Sequence, residues 1–259
     1  MIPDNVAAVL AGRERYALVC GDGFALAREL GDCAVDLVVG DPPYDEKTHA
    51  GAFSFNARKK KAMPVCGTGI NFAALPPVAS FLPALLSCTR RWVVLFCALE
   101  QLGEYKAAAG ERWIRSGVWG RTTGTPQLSG DRPAQGAEGI AIMHTIGGKR
   151  WNGGGKRALW SGGRCQDPTR KHSAKKPLWL MEALLRDFAE PDDLIFDPTG
   201  GEMTTGEACL RLGLRFIGCE IDPVKFGWGV ERMRRAEAAG VQMTIPVREK
   251  RAKQIGLFG

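Results

Sequence analysis

The sequence predicts an α/β fold with a mostly parallel sheet and helices on both faces. Two observations support this prediction: short apolar runs have the length of buried strands, and helical repeats of apolar residues separate several of them. Strands that alternate with helices pair in parallel, because each helix returns the chain across the sheet. The six predicted strands span 16–20, 35–40, 92–98, 140–146, 193–197 and 215–220.

Three predicted helices complete this alternation. Apolar residues recur every three or four positions over 178–188, which is helical spacing. A second helix begins at about Glu202 and ends at Gly213, since glycine commonly follows the last turn of a helix. The last helix has Pro223 in its first turn and reaches about Gly240.

Composition limits the class of protein. The 259 residues can form one large domain or two small ones, and 45% hydrophobic with 24% charged residues is typical of soluble globular proteins. The net charge of +7 favours a polyanionic partner. The cysteines form no C-x-x-C pair and the histidines lack zinc-site spacing, so no metal is predicted. The apolar run 6–11 is too short to span a membrane, and we expect a reduced, cytoplasmic protein.

The tetrapeptide Asp41-Pro42-Pro43-Tyr44 directly follows the predicted strand 35–40. The carboxyl ends of parallel strands are where open α/β sheets bind ligands. There the segment offers a carboxylate, a backbone carbonyl and an aromatic ring, which together suit a planar amino group. An ordinary turn at the end of a strand is the alternative interpretation of the same residues.

Residues 193–222, which read DLIFDPTGGEMTTGEACLRLGLRFIGCEID, have the strand–turn–helix–strand order of a nucleotide-binding unit. Gly200 and Gly201 allow the backbone to approach a ligand, and an acid at the end of the next strand binds ribose hydroxyls in such units. Glu220 occupies that position, and Asp222 is predicted to cap the helix that follows.

Two segments that interrupt the alternation are rich in basic residues. Segment 51–69 contains the run Arg-Lys-Lys-Lys at 58–61, and segment 120–176 interleaves Arg and Lys with Trp. Because basic and aromatic side chains suit phosphate contact and base stacking, these segments predict a nucleic-acid interface. A solvated loop is the alternative for the lysine run. The predicted contact residues are Lys59, Lys60, Arg132, Arg150, Trp151, Lys156 and Arg157.

Taken together, these features resemble the amino-directed DNA methyltransferases that use S-adenosylmethionine, over nearly the whole chain. Residues 41–44 resemble their catalytic D-P-P-Y motif, 197–205 their cofactor loop D-P-F-x-G-x-G-T-T, and 172–177 their H-P-x-x-K-P segment. The catalytic motif precedes the cofactor loop, which is the permuted order of the β-like group. Residues 126–138 and 150–156 further resemble a small phage or prophage type within that group.

The resemblance implies a Rossmann-like methyltransferase fold, a base flipped out of double-stranded DNA, and direct methyl transfer to its exocyclic amino nitrogen. In the implied catalytic motif, Asp41 and the carbonyl of Pro42 accept the two N–H bonds of that amino group, Pro43 follows them, and Tyr44 stacks on the base. For the implied cofactor residue Asp22, a turn residue is the alternative. The cofactor residues that the resemblance implies are Asp22, Asp197, Pro198, Gly200, Gly201, Thr204, Thr205, Glu220 and Lys176.

The motif order divides the chain into four parts. Residues 1–119 contain the catalytic motif, and 120–176 form the basic variable region for target recognition, with a contribution to the sheet near 139–146. Residues 177–247 form the cofactor-binding part, and 248–259 form a flexible basic tail.

Within the tail, Gln254, Ile255, Leu257 and Phe258 resemble the Q-L-x-L-F peptide by which bacterial DNA enzymes bind the replication sliding clamp. A flexible tether would raise the concentration of the enzyme at newly replicated DNA. The alternatives are that Leu257 and Phe258 pack back onto the domain, or that the match is chance.

The cofactor loop departs from the family pattern. Thr199 stands at the usual phenylalanine, Glu202 at the serine and Met203 at the second glycine. A residue with a Cβ at this last position is expected to need a negative φ, and Glu202 is expected near the carboxylate of the cofactor's methionine moiety. A DNA-binding descendant without activity therefore remains an alternative. The D-P-P-Y motif favours adenine N6 as the methyl acceptor, with cytosine N4 as the other choice.

Overall fold

The computed structural model describes residues 1–43, 76–123, 130–145, 147–163, 176–241 and 243–245. Eight strands are present in these ranges. They are β1 (Tyr16–Cys20), β2 (Val35–Gly40), β3 (Thr89–Cys97), β4 (Trp113–Arg121), β5 (Ala137–His144), β6 (Leu159–Gly162), β7 (Leu194–Asp197) and β8 (Arg215–Glu220).

Seven α-helices accompany the strands within the same ranges, together with two short 3-10 turns at Leu99–Gln101 and Gly110–Arg112. None of these helices combines the length and apolar character that crossing a membrane requires. The helices are α1 (Asp4–Leu10), α2 (Gly23–Leu30), α3 (Val78–Cys88), α4 (Leu102–Ala109), α5 (Leu178–Phe188), α6 (Thr204–Arg211) and α7 (Pro223–Ala239).

All eight strands form one sheet in the order β1-β8-β7-β2-β3-β5-β4-β6. Neighbouring strands are parallel except that β5 is antiparallel to both β3 and β4. The predicted, mostly parallel sheet is thus confirmed. Its carboxyl edge contains the strand ends Cys20, Gly40, Cys97, Arg121, Gly162, Asp197 and Glu220, with Ala137 of β5. Its amino edge contains the strand starts Tyr16, Val35, Thr89, Trp113, Leu159, Leu194 and Arg215, with His144 of β5.

Two apolar cores cover the two faces of this sheet. In β2, Leu37 and Val39 face one core and Val38 faces the other, because successive residues of a strand point to opposite faces. Helices α5, α6 and α7 cover the first face, and α1 to α4 cover the second. Both faces are therefore covered by helices, as predicted.

The sequence patterns did not reveal β4 and β6. Arg115, Ser116 and Gly117 interrupt the apolar residues of β4, and β6 is only four residues long. Neither strand therefore contains the continuous apolar run that identifies a buried strand. Strand pairing sets the positions of β4 and β6 in the sheet. Strand β4 pairs with β5 on one side and with β6 on the other.

The helix boundaries follow the predicted capping residues with one shift. Helix α6 begins at Thr204 rather than near Glu202, because Met203 at its N-cap has a left-handed backbone with φ 57°. Gly213 follows α6 with φ 76°, as a residue beyond a helix end commonly does. Asp222 caps α7 by accepting the backbone N–H groups of Val224 and Lys225.

Candidate active site

Asp41 follows the last residue of β2, a strand in the middle of the sheet, and therefore lies at the carboxyl edge. The Nζ atom of Lys176 donates to its Oδ2 atom at 2.6 Å. Lys176 also pairs with Glu138 of β5, with 3.0 Å between Nζ and Oε2. Pro42 is buried and Pro43 is half-buried beside them.

Lys176 is enclosed although it carries a charge. Its side chain is only 9% exposed, and its Nζ atom lies 4.9 Å from the centroid of the Phe96 ring. Burial alone would lower its pKa, but the carboxylates of Asp41 and Glu138 outweigh burial and raise the pKa above the ordinary value. The ammonium is therefore charged at neutral pH, and it lies beside the aspartate that follows β2.

The loop after β7 is fixed by the carboxylate of Asp197. Its Oδ2 atom accepts the hydroxyl of Thr205 at 2.5 Å, and its Oδ1 atom accepts the backbone N–H of Thr199 at 3.0 Å. Burial raises the pKa of Asp197 to about 7, although both hydrogen bonds oppose that rise. Asp197 thus supports the loop from beneath as a buried acid.

Glu220 lies at the end of β8 and holds the neighbouring turn. Its two carboxylate oxygens accept the backbone N–H groups of Gly201 at 2.8 Å and of Asp222 at 2.9 Å. Gly201 has φ 53°, a left-handed conformation that favours glycine. The next residue, Ile221, has an exposed apolar side chain. A buried carboxylate and an exposed apolar side chain therefore lie next to each other at the carboxyl edge.

Two glycines bring the loops after β1, β2 and β7 into contact. A Cβ on Gly23 would lie 2.1 Å from the carbonyl oxygen of Pro198, and a Cβ on Gly40 would lie 3.2 Å from the ring of that proline. Asp22 precedes the first of these glycines and caps α2, accepting the N–H groups of Phe24 and Ala25. The described contacts of Asp22 therefore show that it caps a helix. This role is close to that of a turn residue, which is the alternative given above.

Met203 corrects one expectation about the cofactor loop. Its φ is 57° instead of negative, and its side chain is completely buried. The Met203 side chain lies 2.5–2.7 Å from where a Cβ would stand on Gly200, Gly218 and Gly229. Three glycines therefore make room for this side chain inside the fold, so the backbone keeps the conformation that a glycine would adopt there.

Glu202 is buried and paired with a cation. Arg232 of α7 lies 3.3 Å from its carboxylate and 2.5 Å from that of Glu207. The structure thus brings an arginine to the acid that replaces serine, an interaction that the loop sequence does not reveal.

Most predicted nucleic-acid contacts among the described residues lie at the amino edge, away from Asp41. Arg150 pairs with Glu190 at 2.9 Å, and its carbonyl accepts the indole N–H of Trp92 at the start of β3. Trp151 packs against Phe188 at the end of α5. These two residues therefore contact the domain itself.

The same placement holds for the rest of that segment. Lys156 pairs with Asp187 at 2.7 Å, and Arg157 is exposed two residues before β6 begins. Arg132 is different, because it lies between the end of β4 and the start of β5, which are both at the carboxyl edge. It is exposed and pairs with its neighbour Asp131. Several residues of the sequence predictions lie outside the described residues. They are Tyr44, Lys59, Lys60, 172–175 and the tail residues Gln254, Ile255, Leu257 and Phe258.

Sequence patterns missed two members of the site, Glu138 and Arg121. Arg121 donates to Oε1 of Glu138 at 3.1 Å, while Lys176 contacts Oε2 of the same carboxylate. Because β4 was not predicted from the sequence, its last residue, Arg121, could not be located next to β5. An acid at the start of β5 was the only local signal.

Part of the chain matches a protein family. Residues 110–226 match the profile of the N6/N4 methyltransferase family, described as DNA methylase. The matched segment includes Glu138, Lys176 and Glu220 but not Asp41.

Two curated proteins are similar in sequence. The DNA adenine methyltransferase YhdJ of Escherichia coli (strain K12) is 27% identical over 85 residues, which are 33% of this chain and 29% of that protein. The type II methyltransferase M.HinfI of Haemophilus influenzae is 23% identical over 243 residues, which cover 83% of this chain and 67% of that protein. The match thus spans less than a third of YhdJ and two thirds of M.HinfI.

Two solved structures are similar in fold. The complex of M1.HpyAVI with SAM superposes with a TM-score of 0.61 at 18% identity, covering 84% of this chain and 99% of the other. The PvuII cytosine-N4-specific DNA methyltransferase superposes with a TM-score of 0.65 at 15% identity, covering 87% and 91%. The chain therefore has the Rossmann-like fold of these methyltransferase structures, and residues 110–226 match the N6/N4 family profile.

Proposed function

We propose that this protein is a DNA methyltransferase that transfers a methyl group from S-adenosylmethionine to the exocyclic N6 of adenine. The observation that carries the proposal is the convergence of two loops at the carboxyl edge. The Asp41 motif after β2 and the Asp197–Glu220 unit meet where Pro198 touches Gly23 and Gly40. This contact supports an acceptor for an amino group beside a nucleotide-binding turn.

The residues of the turn fit S-adenosylmethionine. A carboxylate offers about four acceptor positions, so Glu220 can bind the ribose hydroxyls while it holds the N–H groups of Gly201 and Asp222. The missing side chain of Gly201 allows close approach, and the exposed Ile221 offers an apolar surface for adenine. When bound, S-adenosylmethionine supplies an electrophilic methyl group on a sulfonium.

Asp41 and Pro42 act on the target base. The lone pair of an exocyclic amino nitrogen is delocalised into the ring, which makes that nitrogen a poor nucleophile. The Asp41 carboxylate and the Pro42 carbonyl accept hydrogen bonds from its two N–H groups. These hydrogen bonds localise the lone pair towards the methyl group. They also stabilise the positive charge that develops on nitrogen as the methyl–sulfur bond breaks, and that charge is removed when the nitrogen releases one of its protons to water. Tyr44 stacks on the base after the base has left the duplex.

Adenine is the first choice of base and cytosine the second. The aspartate of the D-P-P-Y motif favours adenine by family resemblance, and the relative YhdJ is named a DNA adenine methyltransferase. The similarity in fold to the cytosine-N4-specific PvuII enzyme keeps N4 as the second candidate. Both reactions use the same acceptor geometry at an amino group.

We propose that the DNA partner lies at the carboxyl edge. The residues that flank 44–75, 124–129 and 164–175 lie at this edge, because they follow β2, β4 and β6 or precede α3, β5 and α5. In 44–75 and 164–175, Lys and Arg outnumber Asp and Glu, which suits phosphate contact. The amino-edge residues 150–157 are the alternative contact surface. The tail peptide at 254–258 is proposed to bind the sliding clamp, with its tether leaving the active site unchanged.

The test combines purified protein, duplex plasmid DNA and isotopically labelled S-adenosylmethionine. Digestion to nucleosides should yield labelled N6-methyladenine, and long-read sequencing of plasmid from expressing cells should give the target motif. Labelled N4-methylcytosine would select the second candidate. Absence of both products, together with no cofactor binding in calorimetry when DNA is present, would leave the non-catalytic DNA-binding descendant.

A further inference from the structure

Four charged side chains form a continuous row from β4 to the end of β2. Arg121 contacts Oε1 of Glu138, Lys176 contacts Oε2 of Glu138, and Lys176 also contacts Oδ2 of Asp41. Their charges alternate in sign and sum to zero. Side-chain exposure is lowest for the two cations, 9% each, and highest for Asp41, 30%. The row therefore begins inside the protein and ends at the acid that opens onto the carboxyl edge.

Such an arrangement is poorly explained by stability alone. Replacing a buried ion pair by apolar residues is often neutral or stabilising, because both charges lose hydration when buried. Glu138, however, has a cation on each carboxylate oxygen, and Lys176 has an acid on each side. Lys176 is thereby held in one position, and its ammonium fixes the orientation of Asp41.

We propose that Lys176 is a positioning residue for the methyl-transfer site, held by Glu138 and Arg121 so that Asp41 stays ionised and correctly oriented before the target base arrives. This inference rests on the proposed function and deepens it. It differs from the cofactor-binding role that the sequence resemblance implies for Lys176, because the contacts of Lys176 are with the base-binding acid. The Asp41 carboxylate retains acceptor capacity for the amino group while one oxygen bonds Lys176.

The chemical reason lies in the acids and other groups that surround Asp41. Glu138 on β5 and the buried Asp197 on β7 are carboxyl groups near it, and a second negative charge disfavours ionisation of a carboxyl. Burial raises the pKa of Cys97 on β3 to about 12, and burial also raises the pKa of Tyr105 on α4, so both are neutral at pH 7. Lys176 is thus the cation that directly offsets these acids at Asp41.

The experiment compares wild type with Lys176→Met, Glu138→Gln and the double variant, in the intact protein with duplex DNA. Lys176→Met should lower kcat about tenfold to a hundredfold, less than removal of Asp41 itself, and leave the Kd for S-adenosylmethionine within about threefold. Its acid limb in the kcat–pH profile should move to higher pH, because an adjacent ammonium favours the ionised carboxylate. Glu138→Gln should lower kcat by a smaller factor, because Lys176 loses one of the two acids that hold it. It should move the acid limb to lower pH, because loss of a nearby negative charge favours ionisation of Asp41. In the double variant the loss of kcat should be less than the sum of the two single effects.

Arg90→Met is the matched control, because Arg90 pairs with Asp36 at the other end of β2. It should leave kcat and the pH profile unchanged. If Lys176→Met does not fold, a loss of kcat in Glu138→Gln at an unchanged Kd for S-adenosylmethionine carries the test. The inference is overturned by an active wild type whose Lys176→Met and Glu138→Gln variants keep kcat and the acid limb. A large rise in the Kd for S-adenosylmethionine at unchanged kcat also overturns it and places Lys176 in the cofactor site. A wild type that methylates neither base fails the proposed function, and the inference fails with it.

Discussion

Each end of β2 has an ion pair between an aspartate and a cation, but the two pairs differ in which member is more exposed to solvent. At the amino edge, Asp36 accepts the backbone N–H of Leu194 and pairs with Arg90; the acid is 15% exposed and the cation 52%. At the carboxyl edge, Asp41 is 30% exposed and its partner Lys176 only 9%. One acid therefore fastens neighbouring strands with its cation in water. The other faces outward with its cation inside, where a ligand can reach the acid.

The largest expected effect comes from removing each acid in turn. Asp41→Ala should lower kcat by ~10²-fold or more, since the variant lacks a preorganised acceptor for the transition state. Asp36→Ala should leave kcat of the folded protein unchanged and lower the free energy of unfolding by about 1–3 kcal/mol, because the N–H of Leu194 loses its acceptor. Initial rates at saturating DNA and cofactor, with urea unfolding of both variants, make the comparison. Near-full activity of Asp41→Ala would contradict the site assignment.

A second test concerns the packing that joins the loops of the carboxyl edge. Gly23→Ala places a Cβ 2.1 Å from the carbonyl oxygen of Pro198, so the two loops must separate. We expect weaker binding of S-adenosylmethionine and a decrease of about 1–3 kcal/mol in the free energy of unfolding. Gly103→Ala is the control, because nothing lies within 4 Å of its added Cβ. It should stabilise α4 by about 0.5–1 kcal/mol. Calorimetry showing equal cofactor affinity in both variants would argue against loop convergence as the basis of the site.

The contrast between the edges also explains what could be predicted from sequence. Asp41 and Glu220 each end an apolar run, so a local pattern was sufficient to place them at strand ends. The pairing of Lys176 with Glu138 requires β5 to insert antiparallel between β3 and β4. A strand near 140–146 was predicted, but its direction was not. The antiparallel direction of β5 is what carries residues 150–157 to the amino edge.

Met203 shows the same limit for packing. The local sequence motif alone suggests that a side chain at position 203 disturbs the loop. The space it fills comes from Gly200, Gly218 and Gly229, which belong to the loop, β8 and α7. Such compensation between distant positions is visible only when the elements are packed together.

The two ends of β7 allow a pH test of the edges. Burial raises the pKa of Asp197 at the carboxyl edge to about 7 and that of Asp193 at the amino edge to about 6. An acid whose folded-state pKa is raised stabilises the fold below its unfolded value, near pH 4, and that contribution disappears as pH rises through the folded value. The free energy of unfolding should therefore fall between about pH 4 and 7 because of Asp197, and between about pH 4 and 6 because of Asp193.

Each slope should disappear in the matching asparagine variant. Urea unfolding of Asp197→Asn and Asp193→Asn at pH 4 to 8 measures the effect, at about 1.4 kcal/mol for each unit of pKa difference. If the wild-type slope persists in Asp197→Asn, the carboxyl-edge acid is not the group that titrates.

The smallest expected effect concerns DNA binding and compares two basic residues of the run 58–61 with two basic residues at the amino edge. Removing one cation that touches a phosphate should reduce the slope of log K against log salt by about 0.9. If DNA lies over the carboxyl edge, alanine at Lys59 and Lys60 lowers the slope, whereas alanine at the exposed amino-edge residues Lys149 and Arg157 leaves it unchanged. Fluorescence anisotropy with a labelled duplex from 50 to 200 mM salt, approximately the range in which such slopes are large, measures both. The reverse result would move the DNA to the amino edge. A flipped base could then reach Asp41 only around the end of the sheet, which would break the proposed arrangement of the two edges.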